Sequence, residues 1–259
     1  MKKNSWAGKA RIVSLAPDAT SILFAIGAQK NLVGVSKWCK DVSPVGGLPR
    51  VGDCWALDID DVKRLRPTLL IGSVPFKPEV VAELVKLPAN FLALNPRSLG
   101  GIEENCRLLG EITGREGAAR GLVRKMRESF DRVRKLARKA KRRRKVYCEA
   151  WPNPRISSPP WVAELAEIAG GRMILPAGKR LTDHDVAAAN PDVIVLAWTA
   201  TGDRADPRTA LANRRWAGVT AVRERRVVVI RDELLNTPGP PLMKGAKALL
   251  RAIHPELAQ

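Results

Sequence analysis

The residues best suited to chemistry in this chain are indoles, because there are seven tryptophans against one tyrosine and four phenylalanines. Trp38 follows the apolar run Leu32–Ser36, Trp151 follows Lys145–Glu149, Trp198 follows Val193–Ala197, and Trp55 sits in a glycine-containing loop before Ile59. Core aromatics belong within strands and along helix stripes. Indoles at strand ends instead make walls for a large flat ligand. Trp161 and Trp216, on helical stretches, read as packing. Covalent and metal chemistry have little to build on. Only His184 and His254 are present, short of the three or four His and carboxylate ligands a metal-ion receptor needs. His184, inside Thr182-Asp183-His184-Asp185, belongs to a helix N-cap. Cys39, Cys54, Cys106 and Cys148 show no C-x-x-C spacing. A Cys39–Cys54 bridge is conceivable, and Cys39, Cys54 and Cys148 fall near strand ends where thiolates could meet, but each alone reads as a small buried hydrophobe. No G-x-S-x-G, G-x-x-x-x-G-K-[ST], G-x-G-x-x-G or H-E-x-x-H motif occurs, so catalytic residues are expected to be absent.

These indoles need elements to hold them. Short apolar runs at Arg11–Leu15, Leu32–Ser36, Thr68–Gly72, Asn90–Leu94, Lys145–Glu149, Val193–Ala197 and Val227–Ile230 predict buried parallel strands. Helical patterns at Ala19–Ile26, Ile59–Leu65, Pro78–Leu87 and Ile102–Thr113 alternate with them, each ended by Gly or Pro. Strands alternating with helices predict an α/β fold with mostly parallel sheets. The chain also repeats itself. Asp61 to Ile71 and Asp185 to Val195 both run from a short helix beginning Asp-Val through Pro into a buried strand, 124 residues apart. Two related lobes follow, 1–113 and 146–259, each Rossmann-like.

Between them, Ala119, Leu122, Val123, Met126, Phe130, Val133, Leu136, Ala137 and Ala140 recur at three- and four-residue steps, the mark of one apolar stripe. With no Pro or Gly between Gly121 and Lys145, residues 114–145 predict a rigid connecting helix of about 30 residues, roughly 45 Å long. The formal charge is +19, from 45 basic and 26 acidic residues, and it is uneven. Residues 115–145 hold 15 basic side chains against Glu116, Glu128 and Asp131. Most of that reads as a solvated face, with nucleic-acid or lipid contact as the alternative. In 259 residues that are 45% hydrophobic, no apolar run approaches a membrane span, so the chain is expected not to be membrane-embedded.

In this setting the sequence resembles the cobalamin-type, helical-backbone substrate-binding proteins of ABC importers. Arg11-Ile12-Val13-Ser14-Leu15-Ala16-Pro17, then Thr20 and Leu23-Phe24-Ala25-Ile26-Gly27-Ala28, carry the likeness at the start. Leu48-Pro49-Arg50-Val51-Gly52, Asp60-Asp61-Val62, Arg66-Pro67, Glu164 to Gly171 and Asn236-Thr237-Pro238-Gly239-Pro240 follow in order. The resemblance implies a two-lobed clamshell, not an enzyme, that grips cobalamin, haem or a ferric siderophore between its lobes. It also implies ligand-lining aromatics at Trp55 and Trp151, to which strand-end geometry adds Trp38 and Trp198. Acids that dock on a membrane permease are implied at Asp60 or Asp61 and at Asp203 or Asp206.

A corrinoid macrocycle suits indole walls better than an anionic siderophore, for which Arg97, Arg155 and Arg180 are unclustered. Strand-end acids Glu149, Asp232 and Glu233 are then expected to receive its amide side chains, unless they are merely solvated. Met1 to Ala10 lacks the apolar segment of an export signal. As written the chain is therefore expected in the cytoplasm, and in the periplasm or at the cell surface if its start is incomplete. The leading expectation is a monomeric corrinoid-binding protein with an ABC permease as partner. The alternatives are haem or siderophore binding at the same place, a nucleic-acid-binding protein using residues 115–145, and a redox or metal-handling protein built on the cysteines.

Overall fold

The computed structural model describes residues 9–201, 205–212 and 215–257 and divides into two compact units, Met1–Lys125 and Met126–Gln259. The first contains β1 (Ile12–Ser14), α1 (Pro17–Ala25), β2 (Leu32–Ser36), β3 (Arg50–Val51), α2 (Ile59–Arg64), β4 (Leu69–Ser73), α3 (Pro78–Leu84), β5 (Asn90–Leu94) and α4 (Leu99–Thr113). Its sheet is wholly parallel, ordered β3-β2-β1-β4-β5. The central strands are apolar on both faces, and Ile12, Val13, Leu70 and Ile71 are fully buried, as a parallel sheet covered by helices requires. Pro17 sets the first turn of α1, while Ser98 caps α4 by accepting from the Gly101 amide. Gly114 ends α4 at φ 67°, a left-handed turn that glycine adopts without strain.

Helix α5 (Glu116–Ala137) runs from the first unit into the second. It has 22 residues, not the 30 expected from its stripe, and spans about 33 Å. Ala140 continues the apolar spacing, but the chain turns at Arg138–Ala140, and Arg144 and Lys145 begin a strand. Periodicity alone could not see that those basic residues pair across a sheet.

The second unit contains β6 (Arg144–Pro152), β7 (Arg155–Ser157), α6 (Pro160–Ile168), β8 (Gly171–Met173), α7 (Asp183–Ala189), β9 (Val193–Leu196), α8 (Pro207–Ala212), α9 (Thr220–Arg223), β10 (Val227–Val229) and α10 (Leu242–Ile253). β8 and β9 flank β6 in parallel, β10 lies beyond β9, and β7 folds back on β6 as the only antiparallel strand among the described residues. The first unit has the same plan, with β2 and β4 flanking β1 and β5 beyond β4. The repeated segments occupy equivalent places, α2 into β4 and α7 into β9. α7 opens on a capping box in which Thr182 and Asp185 bond each other's backbone, so His184 sits on a first helical turn. Among the described residues no helix is long and apolar enough to cross a membrane.

The C-terminal end of α10 is clasped onto the second unit. His254 is 1% exposed, with Nε2 3.1 Å from the Gly170 carbonyl and Nδ1 3.1 Å from Glu256, and the Arg144 guanidinium reaches both the Ile253 carbonyl and Glu256. Burial raises the Glu256 carboxyl, but its own backbone amide, His254 and Arg144 together outweigh that and hold it at about 2. A depressed pKa stabilises the fold above the ordinary value of 4.5, and that contribution fades as pH falls toward 2. Because Glu256 is half exposed, solvent screening keeps the effect small. Melting curves should show Glu256→Gln below wild type above pH 4.5, with the gap closing near pH 2. A gap of constant size would mean that the clasp does not depend on the charge.

Candidate functional site

In the first unit the carboxyl ends of β2 and β3 bring Trp38 and Trp55 to one carboxylate that the sequence reading had passed over. Asp53 is 7% exposed. Its Oδ2 accepts from the Trp38 indole N–H at 2.8 Å, and its Oδ1 accepts from the backbone amides of Trp55 and Ala56, both at 2.9 Å. Lys37 Nζ lies 3.9 Å from Asp53 and 4.9 Å from the centre of the Trp38 ring. Burial pushes the Asp53 carboxyl up, but the Trp55, Trp38 and Ala56 donors and the Lys37 charge overcome it and hold the group below its ordinary range. The loop is tight: the Asp53 amide donates to the Ala56 carbonyl at 2.8 Å, and a Cβ on Gly52 would lie 1.9 Å from that same oxygen. Trp38 is thereby half-buried and oriented, while Trp55 is 59% exposed, a bare indole face on a stiff loop.

Beneath this loop Asp18, on the first turn of α1, is buried and accepts from the Ser73 hydroxyl. Burial raises its carboxyl despite that bond and the nearby backbone donors. The cysteines are free and buried. Cys39 packs with Thr20 and Ser36, and Cys148 accepts from Ser158 at 2.9 Å. Burial pushes Cys54, Cys106 and Cys148 up to about 12, which keeps them protonated. The conceivable Cys39–Cys54 bridge is therefore replaced by two separate thiols. Among the described residues no group of His, Cys, Asp and Glu could hold a metal ion.

The second unit has its own centre. Glu149 is fully buried on β6, where Oε2 accepts from the Tyr147 hydroxyl and from Arg155 Nε, both at 2.8 Å, and Oε1 accepts from the Trp198 indole at 2.9 Å. This corrects the expectation that Glu149 receives ligand amides: its oxygens are already used inside the protein. Arg155 also pairs with Asp183 at 2.6 Å and lies over the Trp216 ring, 4.9 Å from its centre. Tyr147 meets that ring edge-on at 6.3 Å. Trp216 and Trp161 are buried, as packing residues should be, although Trp216 stands in a loop and not on a helix.

Trp151 is on β6 itself, because the strand runs one residue past it, to Pro152, into a hairpin with β7. There it is 41% exposed, its indole donating to the Asn153 carbonyl at 2.8 Å. Trp198 is half-buried at the end of β9. Asp232 accepts from the Ala200 amide at 3.2 Å, and Asn236 donates to the Ala197 carbonyl at 2.8 Å, which ties the segment after β10 to the loop after β9. Glu233 pairs with Arg231, so Asp232 and Glu233 brace these loops.

Of the remaining acids, Asp60 and Asp61 lie on the first turn of α2 behind the capping carboxylate of Asp58, and pair with Lys63 and Arg64 three residues on. Asp206 is half-buried and bonds the Arg208 amide at 2.8 Å. Asp203 lies outside the described residues.

With indole-bearing strand ends in each of two α/β units, and a topology repeated between them, comparison with known proteins becomes informative. Residues 12–234 match the Periplasmic binding protein family. The chain belongs to that family. It is 24% identical over 258 residues to an uncharacterized ABC transporter substrate-binding lipoprotein of Bacillus subtilis (strain 168), covering 95% of this chain and 80% of the relative. It is also 24% identical over 241 residues to the vitamin B12-binding protein of Vibrio cholerae, covering 89% and 84% of the two chains. The crystal structure of a periplasmic heme-binding protein from Pseudomonas aeruginosa superposes with a TM-score of 0.83 at 26% identity, over 95% of this chain and 93% of that one. The two-lobed α/β fold with a long connecting helix is thus shared across proteins that serve as substrate-binding components of transporters.

Proposed function

We propose that this protein binds a large tetrapyrrole-like ring, a corrinoid first and haem second, as the substrate-binding component of an ABC importer. The observation that carries the reading is the pair of exposed indoles, Trp55 at 59% and Trp151 at 41%, one per unit and each on a braced strand end. An indole offers a large, rigid apolar face, and a flat macrocycle covers such a face well. Trp38 and Trp198, held by Asp53 and Glu149, add edges and N–H groups already satisfied by the protein. The names of relatives support both ring types, a vitamin B12-binding protein by sequence and a heme-binding protein by structure. The indole faces favour the neutral corrinoid over an anionic siderophore, because the cation at each centre, Lys37 and Arg155, is already paired with Asp53 and Glu149.

Docking on a permease fits Asp60, which is exposed, and Asp61, which is half-buried, on one helical turn. Asp206, or Asp203, fills the matching role in the second unit. Relatives described as a substrate-binding lipoprotein and as a periplasmic heme-binding protein support a place outside the cytoplasmic membrane for this one.

Titration with cobalamin, haem and a ferric siderophore, followed by Trp fluorescence and ligand absorbance, tests the reading. Saturable quenching by cobalamin is expected, weakened about thirtyfold or more by Trp55→Ala or Trp151→Ala. Binding of only a siderophore, or ring binding unchanged in both variants, overturns it.

A further inference from the structure

The strongest feature that ligand binding does not use is the charge of the second unit's first segment. Residues 126–143 carry nine basic side chains against Glu128 and Asp131. The apolar stripe of α5 is spent: Met126, Phe130, Val133 and Ala137 are buried. The cations therefore line the outer face. Arg134 pairs with Asp131, and Arg143 with Glu167 at 3.0 Å, while Arg132, Lys135, Arg138, Lys139 and Lys141 have no ion-pair partner among the described residues. Where α5 ends, Arg134, Arg138, Arg142 and Arg143 line a groove of about 250 Å³ together with Ala137, Ala140 and, from the end of α6 and the turn after it, Glu167, Ile168 and Gly170. Leu136 projects from the midst of the lysines and arginines, 42% exposed.

We propose that this face docks on an anionic lipid bilayer, with phosphate headgroups among the arginines and Leu136 at headgroup depth. Five exposed cations without an ion-pair partner, Arg132 and Lys135 on the last turns of α5 and Arg138, Lys139 and Lys141 in the turn that follows, repel one another unless an anionic surface opposes them, and a membrane attracts each basic residue held within a Debye length. Leu136, exposed among these cations, adds an apolar side chain that can enter the headgroup region beside them. Single-stranded nucleic acid is disfavoured because the only aromatic of residues 126–145, Phe130, is buried and offers no stacking platform. The proposal deepens the transport reading by naming the surface on which such a component would meet the membrane around its permease. Electrostatic docking would hold the protein near that permease and present the ligand repeatedly.

The full chain should co-sediment with phosphatidylcholine vesicles containing a quarter phosphatidylglycerol and stay in solution with pure phosphatidylcholine. Binding should fall steeply as salt rises. The triple variant Arg132→Glu, Lys135→Glu, Lys139→Glu should partition at least about tenfold more weakly, with cobalamin titration unchanged. Equal binding to both vesicle types, salt-independent binding, or retention of an oligonucleotide by a protein that ignores anionic vesicles overturns the proposal. Should the triple variant fail to fold, the lipid and salt dependence of the wild-type chain decides alone. Loss of ring binding in the wild type with vesicle binding intact would sink the ligand reading and leave this one standing.

Discussion

Replacing Glu149 by alanine should destabilise the second unit by about 3–5 kcal/mol, the cost of breaking a buried ion pair by removing one partner. The carboxylate is fully buried and satisfies three donors at once, the Tyr147 hydroxyl, Arg155 and the Trp198 indole. Alanine would leave the Arg155 guanidinium, itself only 10% exposed, with Asp183 as its remaining charge partner, and would orphan two neutral donors. For a unit of this size the loss is a fall in melting temperature of about 10–20 °C. Glu149→Gln should fall between, since the amide keeps one acceptor but turns an N–H₂ toward a donor. Thermal unfolding followed by circular dichroism measures it. A drop under about 1 kcal/mol would show that the three donors find other partners and that the network does not hold the strand ends together.

How much of this was legible beforehand differs between scaffold and site. All seven strands read from apolar runs are present; the central ones are buried on both faces and must be continuously apolar, as Val193 to Leu196 and Leu69 to Ile71 are, while the edge strands β5 and β10 are only partly covered. The three unforeseen strands have two or three residues each, too few to show a period. Of these, β7 mattered most, because its hairpin lengthened β6 and moved Trp151 from loop to strand. The 124-residue repeat was real at the level of topology, since both copies lead a helix into the strand beside the unit's first strand.

The site was harder because indoles announce themselves by type, whereas the groups that aim them do not. Asp53 stands next to Cys54 and Trp55 and could have been read as an Asx turn bonding the amides two and three residues on. Its bond to Trp38, 15 residues back, has no sequence signal. Glu149 reads from sequence as a strand-end acid open to ligand amides because the apolar run Lys145–Glu149 stops at it. In fact strand alternation turns it inward beside Tyr147, which points to the same face. The helix failed in the opposite sense: Arg138 to Lys145 lacks every local stop signal, and only the pairing of Arg144 and Lys145 with β8 draws its end into a strand.

The same distinction between wall and support sets the last expectation. Asp53→Ala should weaken ring binding about ten- to a hundredfold, the cost of losing hydrogen bonds to a charged acceptor that hold two indoles in place. No ligand contact is removed by that change. What is lost is the preorganisation of Trp38, whose N–H would face an apolar methyl, and of the Trp55 loop, whose two amides lose their acceptor. Asp53→Asn should recover most of the affinity, because its amide oxygen can still accept from the Trp55 and Ala56 amides. Trp emission should shift toward longer wavelength in the alanine variant before any ligand is added, as Trp38 gains water. Titrating both variants with cobalamin separates the roles. If alanine and asparagine bind alike at wild-type strength, Asp53 only closes a turn, and the stiffness of the loop comes from Gly52 and the Asp53–Ala56 backbone bond.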